Sequence, residues 1–121
     1  MNGAVLMFGF QSLPLMMAVD GAMKEFGAEV IPVQPKDYNK SLQSLLEKNA
    51  SGADYAGPAL GGQMLVLCGL EQNLEGVLAA LRKAGVGLDC LKAVLTKHNK
   101  DWTAVNLYRE LREERRAVTG R

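Results

Sequence analysis

Two apolar runs of the same pattern punctuate the chain. Val5-Leu6-Met7-Phe8-Gly9-Phe10 and Leu65-Val66-Leu67-Cys68-Gly69-Leu70 each hold four apolar residues, a glycine and one more apolar residue. Short apolar runs bounded by turn residues read as buried strands. Polar residues follow each run, and then a stretch of helical period. Leu74, Val77, Leu78 and Leu81 fall at i, i+3, i+4 and i+7, a single stripe along a helix. Leu13, Met16, Met23 and Phe26 form a looser stripe with Val19 beside it. Ser12 and Asn73 stand just ahead of these helices, and both residue types cap a helix by accepting a free backbone N–H. Gly27 and Gly85 stand just behind them, where glycine tolerates the left-handed closing turn.

Each helix leads into a second strand, "EVIPV" at 29–33 and "LKAVL" at 91–95. Pro32 has no N–H to give a sheet, which predicts an edge strand or a bulge there. A polar elbow comes next, "PKDYNKS" at 35–41 and "TKHNKDWT" at 96–103, and a further helix after each, over 41–48 and 103–118. The chain therefore reads as β-α-β-α written twice. The first copy covers 1–48 and the second 64–121. Residues 49–63, rich in Gly and Ala with one Pro, have no usable period and predict a flexible linker loop. Gly21 and Gly76 each weaken their helix by up to ~1 kcal/mol relative to Ala, which marks them as points of close packing.

Two βαβ units make a four-stranded sheet carrying helices, an α+β or α/β fold. The preferred arrangement is ferredoxin-like, with the halves related by a pseudo-two-fold and the strands of one antiparallel to those of the other. Fused βαβ copies commonly intercalate in this way. An all-parallel open sheet is the alternative. In that sheet both elbows would share the C-terminal edge, where α/β proteins usually bind ligands. In the ferredoxin-like form the elbows point to opposite ends and no joint site forms.

Length and charge narrow the function. At 121 residues the chain fits one domain, 1–121, with enough surface to bury for a real core. Fourteen basic and thirteen acidic side chains leave no electrostatic pull toward nucleic acid. In the tail "LYRELREERRAVTGR", Leu107, Tyr108, Leu111 and Val118 predict an inward stripe, and the remaining charges a solvated face. No apolar run reaches the ~18–20 residues of a membrane span. The apolar start has no Lys or Arg ahead of it, unlike a secretory leader. Two cysteines, Cys68 and Cys90, are too few for a disulfide scaffold and lack C-x-x-C spacing. A cytoplasmic chain without metal or cofactor is expected.

The candidate chemistry gathers in 91–103, "LKAVLTKHNKDWT", which holds the lone His and the lone Trp. His98 exchanges protons near neutral pH, and Asp101 stands close enough in sequence to orient it. Cys68 closes a strand ahead of a helix N-terminus, a place that lowers a thiol's pKa, although its counterpart Phe8 is an inert core residue. Lys36 and Lys97 occupy matching elbows near helix N-termini, with Lys40 and Lys100 beside them, a set that suits a small anionic ligand. Beside these stand structural readings. Thr103 is placed to cap the last helix, which puts Trp102 and Leu107 at the two positions of a hydrophobic staple. Asn106 takes the place of the Glu that completes a capping box. No Gly-rich phosphate loop is present, so Gly9 and Gly69 read as strand-to-helix turns.

Taken with "QMLVLCGLEQNLEGVLAALRKAGV" before it, the same stretch resembles a small bacterial family designated domain of unknown function 3783. Cys68-Gly69-Leu70, Ala84-Gly85, Leu91 to Thr96, Asn99, Trp102 and Thr103 carry the resemblance, over residues 63–115. The first half resembles the family's usual upstream companion more loosely. The family has no assigned activity, so the resemblance implies an architecture and a bacterial source, and brings no catalytic residues. Asn99, Trp102 and Thr103 are then expected to build the elbow. The expected function is a non-catalytic binding or regulatory module, with a homodimer, a protein partner or a small anion as its company. The alternative is a small enzyme or anion-binding protein using His98, Lys97 and Asp101.

Overall fold

A computed structural model describes residues 3–49 and 51–119, with side chains through Arg115. At its centre β1 (Ala4–Phe8) pairs antiparallel with β3 (Met64–Cys68). Each central strand carries a parallel neighbour on its outer side, β2 (Glu29–Pro32) beside β1 and β4 (Leu91–Val94) beside β3. The order across the sheet is β2-β1-β3-β4. The mixed sheet is α+β in class, and the all-parallel alternative is not borne out. The halves run antiparallel to each other, as the preferred arrangement requires. They lie side by side, however, and do not intercalate. The β1–α1–β2 crossover returns to the strand next to its origin and leaves no gap for the other half to fill.

The register makes the pseudo-symmetry explicit. Leu6 faces Val66, Ala4 faces Cys68 and Phe8 faces Met64, so a two-fold through the Leu6–Val66 pair exchanges the central strands. Matching hydrogen bonds extend it outward. The Val33 N–H donates to the Met7 carbonyl at 2.8 Å, and the Leu95 N–H to the Leu67 carbonyl at 2.9 Å. Both outer strands lie on edges, which is where Pro32 needs to be.

Alternation along β1 and β3 divides the core in two, because successive side chains point to opposite faces. Val5, Met7, Leu65 and Leu67 meet α1 (Leu13–Lys24) and α3 (Leu74–Ala84), which bring Val19, Met23, Val77 and Leu81. Leu6, Phe8, Met64 and Val66 meet α2 (Leu42–Glu47) and α4 (Ala104–Thr119), through Leu42, Leu45, Ala104, Leu107 and Tyr108. All ten positions of the central strands are buried, so they read as continuous apolar runs.

Local signals hold with few exceptions. Ser12 caps α1, accepting the Leu15 N–H at 3.3 Å, and Gly85 closes α3 at φ 112°. Asn73 does not cap with its side chain, because a 3-10 turn over Glu71–Asn73 enters α3 instead. α1 ends at Lys24, two residues short of the predicted stop. Gly76 does mark close packing, since a Cβ there would stand 3.4 Å from the Phe26 ring. Gly21 has open space and marks none. Leu107, Tyr108 and Leu111 pack inward from α4, while the side chain of Val118 lies outside the described residues.

Candidate functional site

The elbows leave opposite ends of the sheet and then converge over its centre. Ser41 and Thr103 form an antiparallel β-bridge. The Gln43 N–H donates to the Lys100 carbonyl at 2.9 Å and the Val105 N–H to the Tyr38 carbonyl at 3.1 Å, two bonds related by the pseudo-two-fold. Both bridge residues are also caps. Ser41 accepts the Ser44 N–H and Thr103 the Asn106 N–H, each at 3.1 Å. The elbow 96–103 is thus a structural joint. Asn99 donates to the Val94 carbonyl at 3.1 Å and accepts the Thr96 N–H at 2.8 Å, while the Thr96 hydroxyl accepts from His98 and Asn99. Trp102 packs in the same apolar cluster as Leu107, and its carbonyl accepts the Leu42 N–H at 2.9 Å.

The candidate reactive groups do not assemble. His98 is exposed, its ring edge-on to Trp102 with centroids 5.5 Å apart, and no hydrogen bond joins it to Asp101. The cavities at the β1–β2 ends, beside Tyr55, beside Asp89 and beside Asp37 are all lined by residues other than 96–103. Cys68 lies in the core, and burial, with the Glu71 charge second, pushes its thiol up to about 12. Burial also pushes Cys90 up to about 11 against the opposing pull of Lys92 and Arg115. A thiol held protonated is a weak nucleophile. Lys36 and Lys97 follow strands on opposite edges that end at opposite ends of the sheet, so they build no joint site. Lys40 turns inward, and its ammonium donates to Asn39 Oδ1 at 2.8 Å and the Ala53 carbonyl at 2.6 Å. It anchors the 51–63 segment rather than an anion. That segment has no helix or strand, and Tyr55 and Leu60 pack against the apolar cluster over α2 and α4.

Cavities open elsewhere among the described residues. One of about 660 Å³ runs along Gln63, Asp89 and the exposed Arg112 and Arg115, and one of about 430 Å³ lies between Tyr55, Leu60 and α4. A smaller one of about 210 Å³ borders Asp37 and Lys48. Another, of about 400 Å³, sits where β1 and β2 end. Its walls come from both strand exits, Gly9 to Gln11 on one side and Val33, Pro35 and Tyr38 on the other, with residues 59–62 across the top. From those exits α1 goes to one face of the sheet and α2 to the other. A crevice opens wherever neighbouring parallel strands send their connections to opposite faces, and α/β proteins bind ligands there.

Local sequence shapes this crevice. Gly9 sits at φ 75°, where a Cβ is strained, and a Cβ would also overlap the Gly62 carbonyl oxygen. The linker backbone therefore closes directly onto the strand end. Tyr38 is 4% exposed, with its ring 6.0 Å from that of Phe8. Burial raises the pKa of its hydroxyl, and the neighbouring Gly9 backbone N–H pulls the other way. The Tyr38 hydroxyl thus sits at the strand end as an acceptor for the Gly9 N–H. Gln11, exposed at the rim, adds an amide. Sequence reasoning missed Tyr38, Gln11 and residues 59–62. The chain carries a turn signal at Gly9, but nothing local shows that Tyr38 returns beside it.

The architecture is that of an α+β protein with an open mixed sheet. Residues 63–118 match the family model described as Domain of unknown function (DUF3783), so the resemblance read over residues 63–115 is borne out. No curated protein and no solved structure matches the chain. Among the described residues no helix is long and apolar enough to cross a membrane, and no group of three or more His, Cys, Asp or Glu is placed to hold a metal.

Proposed function

We propose that the chain is a non-catalytic binding module of the bacterial cytoplasm whose ligand site is the crevice at the ends of β1 and β2. The observation that carries this is the cavity of about 400 Å³ at the point where the connections from two parallel strands part. Its volume falls within the roughly 300–1,000 Å³ of small-molecule sites, and such sites combine apolar walls with a few placed polar groups. The lining contains no Ser, Cys, His or carboxylate, which supports binding over turnover. Two free, buried thiols are in keeping with a reducing compartment. Self-association belongs to the same reading, with Leu13 and Met17, each 65% exposed on α1, as the surface it uses.

A fragment library titrated into 15N-labelled protein tests the site. Shifts are expected at Gly9, Gln11, Gly61 and Gly62, and binders that perturb only residues elsewhere would remove the crevice from consideration. Sedimentation velocity tests the pairing. Wild type is expected to associate and Leu13→Ser with Met17→Ser to run as a monomer, whereas a wild-type monomer at all concentrations would rule the dimer out.

A further inference from the structure

Resting on the crevice as the ligand site, we infer that it takes a small uncharged molecule with an apolar body and a hydrogen-bond acceptor, and that it discriminates against anions. Apart from the neutral Tyr38, no ionisable side chain lines the cavity. Met7, Phe10, Met16, Val33 and Leu60 supply apolar wall. A charged ligand entering such a site gives up part of its water without gaining a counter-charge, which disfavours it against a neutral ligand of the same shape.

The helix that opens beside the crevice does not reverse this preference. Helix N-termini bind anions through several free N–H groups acting together. In α1 the second residue is Pro14, which has none. The Leu15 N–H is taken by the Ser12 hydroxyl at 3.3 Å and the Met16 N–H by the Ser12 carbonyl at 3.0 Å. Of the first three helical residues only Leu13 keeps an N–H outside the cap. The nearest lysine in sequence, Lys36, is exposed and does not line the cavity.

The polar groups that remain set what the ligand must offer. Tyr38 and Gly9 both line the cavity, with the Gly9 backbone N–H donating to the Tyr38 hydroxyl, and a hydroxyl that accepts one bond can still donate one. The hydroxyl accepts from that Gly9 N–H through an oxygen lone pair, and the Tyr38 ring packs against Phe8 and Tyr55. A carbonyl or ether oxygen of a ligand takes the remaining donor. Gln11 at the rim presents both an amide donor and an amide acceptor.

The test uses the whole chain and two matched pairs of probes at pH 7, benzamide against benzoate and acetanilide against phenyl phosphate, titrated by 15N NMR. The neutral members are expected to shift Gly9, Gln11, Gly61 and Gly62 and to bind at least about tenfold tighter than their anionic partners. Tyr38→Phe keeps the ring packing and removes the donor, and is expected to weaken the neutral probes by about tenfold, the size of one good hydrogen bond. Gln11→Ala, at an exposed rim position, is expected to weaken them less. Anions that bind at these residues as tightly as the neutral probes would overturn the ligand class and leave the crevice as the site. Tyr38→Phe binding as well as wild type would overturn the role of the hydroxyl. No probe reaching these residues would overturn the site and the class together.

Discussion

The two halves share an element order and a register, yet their strand ends differ. Where β1 and β2 finish, Gly9, Phe10, Val33 and Tyr38 surround an open, uncharged cavity. Where β3 and β4 finish, Leu70 is buried and Glu71 starts a 3-10 turn. A Cβ on Gly3 would come within 2.5 Å of Leu70 there, so that side chain has no spare room. The chain leaving β4 makes the Thr96–Asn99 turn, closed by its own side-chain hydrogen bonds. One topology thus carries an open cavity at one pair of strand ends and a buried Leu70 with a self-bonded turn at the other, and the side chains just past the strands make that difference.

The largest expected contrast is in the core. Phe8 and Cys68 occupy equivalent strand ends, both buried. Phe8→Ala is expected to lose ~3–5 kcal/mol in chemical denaturation and Cys68→Ala roughly 1–2 kcal/mol, following large-to-small losses in cores. Equal losses would mean the two ends are packed alike. The glycines sharpen the contrast further. Gly69→Ala meets its nearest neighbour at 3.6 Å and carries only left-handed backbone strain, roughly 1–2 kcal/mol. Gly9→Ala adds the overlap with Gly62, so it is expected to destabilise more and to raise hydrogen exchange across 59–63.

Alkaline stability tests the second half next, where both thiols lie, ahead of the pH at which Tyr38 of the first half titrates. An unfolded thiol titrates at 9.0, while the folded ones are raised to about 12 and about 11. Below pH 9 both states hold the proton and the stabilising term is fully present. Above it the unfolded chain releases protons that the fold retains, so stability falls as pH rises, by up to ~1.4 kcal/mol per pH unit and thiol. Replacing Cys68 and Cys90 by Ala is expected to flatten that decline, and an unchanged slope would contradict it. The smallest effects belong to the elbows. Ser41→Ala and Thr103→Ala should each lose ~1 kcal/mol as lost caps, and His98→Ala less than about 0.5 kcal/mol, as exposed positions do. A His98 change larger than the cap changes would reopen the elbow as more than a joint.

These contrasts also explain what the chain discloses by itself. Strand and helix positions are local properties, carried by runs such as Leu65–Cys68, by Ser12 and by Gly85, and they were legible. The role of Thr103 as a cap was legible for the same reason. The strand order was only partly so, because side-by-side and intercalated halves share one hydrophobic pattern. The crevice was illegible. It depends on Tyr38 returning beside Gly9 and on Gly62 closing over Gly9, contacts between positions far apart in sequence. The conspicuous His98 and Trp102 drew attention to a turn, while the unremarkable "GFQ" after β1 faces the cavity.

The antiparallel register centred on Leu6 and Val66 has a consequence for a chain cut in two. A fragment holding only β3, α3, β4 and α4 bares the β3 edge that β1 now covers, and unpaired edges seek strands. Because the register is symmetric, a second β3 can lie against the first just as β1 does. A segment 63–118 cut from the chain is therefore expected to join its own copy, a union that the tether through 49–63 makes internal when β1 is present.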